Sequence, residues 1–236
     1  MKVIILAGGL GTRFAEETHN KPKPMIEIGG EPILFHIMKW YEKFIPCEFL
    51  VATGYLHEVV ENYLASPNFK NTGLNATSLF TGESTSTGGR IKLALNECKN
   101  EEIVMATYGD GVSNIDIKDL ISFHLSHNKI ATVTAVRPSA RFGRLEIENN
   151  FVTNFSEKNQ ADEGWINGGF FVLNSKVREY LDSLTEPFEH KPLRTLALSK
   201  QLMAFKHHGF WQPMDTLREK IELEAMIKNH TAPWMN

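Results

Sequence analysis

The chain opens on a short unbroken apolar run, Val3 to Leu6, rich in β-branched residues and followed by three glycines within positions 8–11. Such a run predicts a strand buried on both faces, halted where the backbone becomes permissive. Ile33, Ile37, Trp40, Tyr41 and Phe44 then recur at helical spacing and predict a helix over 32–44. A strand over 48–53 stops at Gly54, and a helix over 57–65 is closed by Ser66-Pro67-Asn68. A strand over 75–80, a Thr/Ser/Gly loop over 82–89 and a helix over 90–98 follow, then a strand over 103–107 ending in Tyr108-Gly109-Asp110-Gly111. The later chain predicts a helix over 115–126, a strand over 130–137 and a hairpin over 141–155 turning at Asn149-Asn150. After it come a strand over 165–173 interrupted by Gly168-Gly169, helices over 175–184 and 189–199, a strand over 202–207 and a last helix over 216–229.

This alternation predicts an α/β fold, a Rossmann-like, mostly parallel (mixed) central sheet with helices on both faces. The second half adds mixed strands to the same sheet. Without repeats or low-complexity linkers, 1–236 reads as a single domain. Ligands of such sheets bind beyond the carboxyl ends of the strands. The glycine turn, the 82–89 loop and Asp110 all fall at such ends.

Composition narrows the setting. A formal charge of −3 over 236 residues gives no general attraction to nucleic acid or to an anionic membrane, so neither partner is expected. The two cysteines, Cys47 and Cys98, in a chain too large to need a disulfide, favour a reducing compartment. The first apolar run is too short for a signal peptide, and no stretch of ~18 apolar residues predicts a membrane span. The expectation is a cytoplasmic protein.

Strand, glycine turn and the cations Arg13, Lys21 and Lys23 suggest a loop that wraps a phosphate chain through backbone N–H groups and fixed charge. Neither G-x-x-x-x-G-K-[ST] nor G-x-G-x-x-G is present. Asp110 is either a turn-forming Asp-Gly or the first carboxylate of a Mg²⁺ site. Asp215, before the final helix, is either its N-cap or a second ligand, and the two roles are compatible. Lys158 is a solvated turn residue or a cation for a phosphate. Asn167 beside Gly168-Gly169 marks a β-bulge, or room for a sugar ring with an amide to hydrogen-bond its hydroxyls.

Leu6-Ala7-Gly8-Gly9-Leu10-Gly11-Thr12-Arg13 followed by Lys21-Pro22-Lys23-Pro24 closely resembles the signature of the sugar-1-phosphate nucleotidylyltransferases. The resemblance implies a nucleotidyltransferase (GT-A-like) architecture with a nucleotide half, 1–112, and a sugar-phosphate half, 113–236. It implies nucleotide contacts from Leu6, Ala7, Gly8, Gly9, Gly11, Thr12, Arg13, Lys23, Thr87, Gly88, Arg90 and Asp110. Arg13 and Lys23 would be the catalytic cations, with Lys23 matched to the family lysine by its spacing to Glu31-Pro32. Mg²⁺ would sit on Asp110 and Asp215. Gly143, Glu157, Lys158, Asn167 and Gly168 would take the sugar phosphate.

Within the family, Glu16-Glu17-Thr18, Thr87-Gly88-Gly89-Arg90, Arg141-Phe142-Gly143 and Gly209-Phe210-Trp211-Gln212-Pro213-Met214-Asp215-Thr216 are similar to the glucose-1-phosphate cytidylyltransferase branch. The implied reaction moves a cytidylyl group from CTP to a sugar 1-phosphate, releasing pyrophosphate, in a homo-oligomer. Three departures stand out: Asn159 replaces the proline of the family's E-K-P, the 55–82 stretch is shorter than in that branch, and Arg144 stands where a small residue is expected. The alternatives are the same chemistry with another nucleotide or acceptor, and a non-catalytic nucleotide-sugar sensor. A glycosyltransferase would more usually carry D-x-D, and Asp116-Ile117-Lys118-Asp119 has the wrong spacing.

Overall fold

The computed structural model describes residues 1–9, 11, 14, 18–137, 144–148, 151–156 and 164–235, with the backbone alone for 144–147 and 154–156. The first half is built from β1 (Lys2–Ala7), a 3₁₀ turn (Lys23–Met25), the short β2 (Glu27–Ile28) and β3 (Glu31–Pro32), α1 (Ile33–Phe44), β4 (Glu48–Thr53), α2 (His57–Ala65), α3 (Pro67–Lys70), β5 (Asn75–Phe80), α4 (Thr87–Asn96), β6 (Ile103–Tyr108) and β7 (Gly111–Ser113). The second half adds α5 (Ile117–His127), β8 (Ala131–Val136), β9 (Arg144–Glu148), β10 (Phe151–Ser156), β11 (Ile166–Asn174), a 3₁₀ helix (Ser175–Tyr180), α6 (Lys191–Leu198), β12 (Leu202–Lys206), β13 (Trp211–Pro213) and α7 (Leu217–Lys228).

Seven strands form one sheet in the order β12-β8-β11-β6-β1-β4-β5. All neighbours are parallel except β11, which runs antiparallel to both β6 and β8. The mixed, mostly parallel sheet expected from the sequence is therefore present. β1 shows why it folds so: Val3 and Ile5 enter one core layer and Ile4 and Leu6 the other. Val3, Ile4 and Ile5 are fully buried, each contributing about 1.5–3 kcal/mol relative to exposure. Helices α1, α2, α5 and α7 supply one layer, and α4, α6 and the second 3₁₀ helix the other.

Several boundaries differ from the sequence reading. Helix α4 begins at Thr87, not 90, because the Ser86 side chain caps it by accepting from Gly89 N. Thr87, Gly88 and Gly89 are therefore helical rather than loop. Ser66-Pro67 closes α2 but also starts α3, with Ser66 as its N-cap. The 175–184 segment is a shorter 3₁₀ helix, Ser175–Tyr180. The hairpin forms with β9 and β10 antiparallel, but as its own two-stranded sheet instead of joining the main one. Its predicted turn, Asn149-Asn150, lies outside the described residues. The break in β11 is a bulge: its register against β8 shifts between Asn167 and Phe171. Gly169 takes φ +79° there, a conformation other residues adopt at a cost, and a Cβ would meet the Tyr108 ring at 2.2 Å.

A pair of histidines behind β8, His124 buried and His127 half-buried, gives the fold a pH dependence. Lys129 N donates to His127 Nδ1, so His127 donates from Nε2 to Thr132 Oγ1, and Thr132 donates to His124 Nδ1. Burial, then the neighbouring His127, holds His124 down to about 4 from 6.5. The unfolded chain binds the proton first as pH falls, so stability should drop between pH 6.5 and about 4. Thermal melts over that range should show the drop, and His124→Asn should lack the share that this histidine contributes.

Candidate active site

The carboxyl ends of β1 and β6, the start of α4 and the bulge of β11 enclose a cavity of about 800 Å³. Leu6, Ala7, Gly8, Gly9 and Gly11 line one side, and Asn167, Gly168 and Trp211 also line it. Lys23, Asp110 and Asp215 meet in the same cavity. Thr12, Arg13, Gly143, Glu157 and Lys158 lie outside the described residues.

Lys23 rides on the first 3₁₀ turn, 9% exposed. Its ammonium donates to Asp110 Oδ2 at 2.6 Å and also to Asp215 Oδ1. Burial pulls the Lys23 pKa down, but the charge and hydrogen bond of Asp110, then those of Asp215, outweigh it, and the net direction is upward. Lys21 lies outside this cluster and pairs with Glu27 at 2.9 Å.

Two short strands that the sequence reading missed make this meeting possible. β13 pairs antiparallel with β7, placing Pro213 opposite Gly111, and Met214 N donates to Asp110 O at 2.8 Å. Asp110 and Asp215, far apart in sequence, therefore flank one ladder. Three-residue strands fall below what periodicity can detect. The N-cap expectation for Asp215 is corrected by one residue. Thr216 is the N-cap of α7, completing a capping box with Glu219, while Asp215 contributes its backbone N–H to Glu219 Oε2 at 2.7 Å. The Asp215 carboxylate accepts from Lys23 through Oδ1.

Two carboxylates that reach a single ammonium from different elements can also reach a single small cation. Hard oxygen donors of this kind fit Mg²⁺, which takes one or two carboxylates and completes its shell with phosphate oxygens and water. Among the described residues no group of three or more His, Cys, Asp or Glu side chains gathers to hold a metal.

Arg90 lies where the resemblance implies, in the lining of the cavity, and the structure adds what its side chain holds. Its guanidinium is engaged by backbone, donating to Thr53 O (2.7 Å), Gly82 O (3.0 Å), Gly8 O (2.8 Å) and Glu83 O (3.4 Å), and to Thr81 Oγ1. It is 3% exposed, and burial lowers its pKa. A Cβ at position 8 would stand 2.1 Å from the guanidinium carbon, so glycine is needed where the loop crosses Arg90. Arg90 is the post under the glycine turn, and Arg90→Met should cost about 2–4 kcal/mol by leaving these carbonyls unpaired. Urea melts would register it. Gly88 is also placed elsewhere: a Cβ there would meet Glu186 O at 2.4 Å, so it packs against the 184–188 segment.

The cavity carboxylates Glu83 and Glu189 were not singled out from the sequence. Glu189 accepts from Thr87 Oγ1 at 2.6 Å and from the Tyr108 hydroxyl. Tyr108 accepts in turn from Asn167 Nδ2 at 3.0 Å, while Asn167 Oδ1 takes Gly169 N at 2.8 Å. Burial, then Glu189, pushes the Tyr108 pKa up, so the phenol stays protonated. Nothing in the pattern around Phe188-Glu189-His190 marks it, because it precedes a helix as a solvated Glu would. Among the described residues no helix is long and apolar enough to cross a membrane.

Comparison with known proteins agrees with this geometry. Residues 2–216 match the family model described as nucleotidyl transferase. The chain is 46% identical over 253 aligned positions to the glucose-1-phosphate cytidylyltransferase of Salmonella typhi, covering 99% of this chain and 98% of that one. It is 31% identical to the D-glycero-alpha-D-manno-heptose 1-phosphate guanylyltransferase of Aneurinibacillus thermoaerophilus, with 89% of each covered. The crystal structure of HddC from Yersinia pseudotuberculosis superposes with a TM-score of 0.72 at 26% identity, over 96% of this chain and 99% of that one. The architecture, the motif-bearing cavity and a match spanning nearly the full length place the chain in the nucleotidyl transferase family.

Proposed function

We propose that the chain transfers a cytidylyl group from CTP to α-D-glucose 1-phosphate, forming CDP-glucose and pyrophosphate with Mg²⁺. The observation that carries this reading is the meeting of Lys23, Asp110 and Asp215 beside the glycine turn in one cavity, in a chain 46% identical to a glucose-1-phosphate cytidylyltransferase. An oxygen of the sugar phosphate attacks the α-phosphorus, and the bond to the pyrophosphate oxygen breaks on the opposite side. A phosphate monoester is already a competent nucleophile, so orientation and neutralisation of charge are the main tasks.

Gly8, Gly9 and Gly11, which line the cavity, would offer backbone to the β- and γ-phosphates, and Thr12 and Arg13 would add a hydroxyl and a fixed charge. Lys23 neutralises charge on the α-phosphate and the leaving group. Asp110 and Asp215 would hold Mg²⁺, which when bound would supply Lewis-acid stabilisation of the phosphate oxygens. Lys158 with Glu157 and Gly143 receives the sugar phosphate. Asn167, with one amide hydrogen on Tyr108, has a second for a sugar hydroxyl.

The test is pyrophosphate release with Mg²⁺, offering CTP, UTP, dTTP, ATP and GTP each with glucose 1-phosphate. Fast release with CTP alone is expected. Release only with another nucleotide overturns the CTP half of the reading, and release with none of the five overturns the glucose 1-phosphate half.

A further inference from the structure

We propose that Lys23 is the resting counter-ion of the metal position, holding Asp110 and Asp215 together until a nucleotide triphosphate draws it away, so that a divalent cation enters with the nucleotide and not before it. The inference rests on the reading of those two aspartates as metal ligands. Its starting point is that one ammonium donates to both carboxylates, at 2.6 Å to Asp110 Oδ2 and also to Asp215 Oδ1.

Mg²⁺ binds carboxylate oxygens at about 2.0–2.1 Å. An ion bridging the same two oxygens would occupy nearly the space that Nζ fills, and a dication beside a buried ammonium is strongly repelled. Metal and ammonium are therefore alternative occupants of one position. The ammonium also offsets the repulsion that would drive the neighbouring carboxylates apart, so the pair stays in ligand geometry without a metal.

Lys23 has somewhere else to go. Its ammonium is a compact charge on a flexible four-carbon stem, and Gly8, Gly9 and Gly11 line the cavity it enters. A triphosphate seated there offers new anionic partners, and the move withdraws the ammonium from both carboxylates together. Binding of metal and of nucleotide then reinforce each other by the same factor in either direction.

The experiment titrates Mn²⁺ into the full chain without nucleotide, following free Mn²⁺ by electron paramagnetic resonance. Lys23→Met should bind one Mn²⁺ at least about 10-fold more tightly than the unaltered chain. Lys23→Arg, which keeps the charge, should stay as weak as the unaltered chain. Equal affinity in the unaltered chain and Lys23→Met overturns the proposal, as does an equal gain in Lys23→Arg, which would trace the effect to packing. Thermal melts confirm folding, and Lys23→Gln replaces Lys23→Met if the latter does not fold. Adding Asp110→Asn to Lys23→Met should remove the gained site, and Mn²⁺ binding that survives it overturns the ligand reading beneath the proposal. Pyrophosphate release is assayed separately, so a wrong substrate leaves this comparison intact.

Discussion

Lys23→Ala should lower kcat by about 10²–10³-fold, the scale for one preorganised charge-stabilising group. The substitution removes the cation that we place against the α-phosphate at the moment negative charge shifts toward pyrophosphate. The fold should survive it. Asp110 and Asp215 side chains are 32% and 21% exposed, so water can solvate the carboxylates once the ammonium is gone. The Lys23 pKa lies above 10.5 on balance, so its charge is constant through neutral pH. Its pairing stabilises the fold below 10.5 and is lost only as pH climbs through the raised folded value. The limb of a pH–rate profile between pH 6 and 9 should accordingly not belong to Lys23. Initial rates at saturating nucleotide and metal give the answer, and near-normal turnover by a folded Lys23→Ala chain would remove Lys23 from the catalytic centre.

Asp110→Asn should abolish the Mg²⁺-dependent rate, a loss of at least about 10³-fold. Asparagine keeps the shape of the Gly109-Asp110-Gly111 turn and leaves the β7–β13 ladder untouched, since the link there runs through Asp110's backbone carbonyl to Met214 N. What it removes is a charge shared between Lys23 and, in our reading, the metal. Activity measured against Mg²⁺ concentration separates the possibilities. A flat, low response identifies Asp110 as a ligand, whereas an unchanged saturation curve would move the metal elsewhere.

Much of this was legible in the chain because the informative features are long or chemically unusual. The apolar run at Val3–Leu6, the helical stripe of α1 and the regular spacing of β4, α2 and β5 all lie in elements of six or more residues, enough for periodicity to declare itself. Lys23, Asp110 and Asp215 could be marked individually. Their convergence could not be read, because it depends on β7 and β13, three-residue strands whose pairing is a tertiary event. The backbone partners of Arg90 could not be read for a related reason. A cation close to a phosphate loop looks like a ligand contact, and only burial reveals that backbone carbonyls have already claimed it. Glu189 shows the opposite failure: its partners Thr87 and Tyr108 come from distant segments, so its own neighbours in sequence carry no signal.

The place of β11 has a bearing on any attempt to divide the molecule. Sequence position suggests a cut near residue 112, between the segment rich in nucleotide motifs and the rest. Yet β11 lies between β6 and β8, antiparallel to each, and its residues Phe170 to Leu173 are almost wholly shielded from solvent. A fragment ending at 112 would carry β6 as a naked apolar border, the kind of edge that recruits strands from other molecules. The resulting pieces should therefore behave as obligate complements: insoluble when separated, and recoverable only when refolded in the same tube.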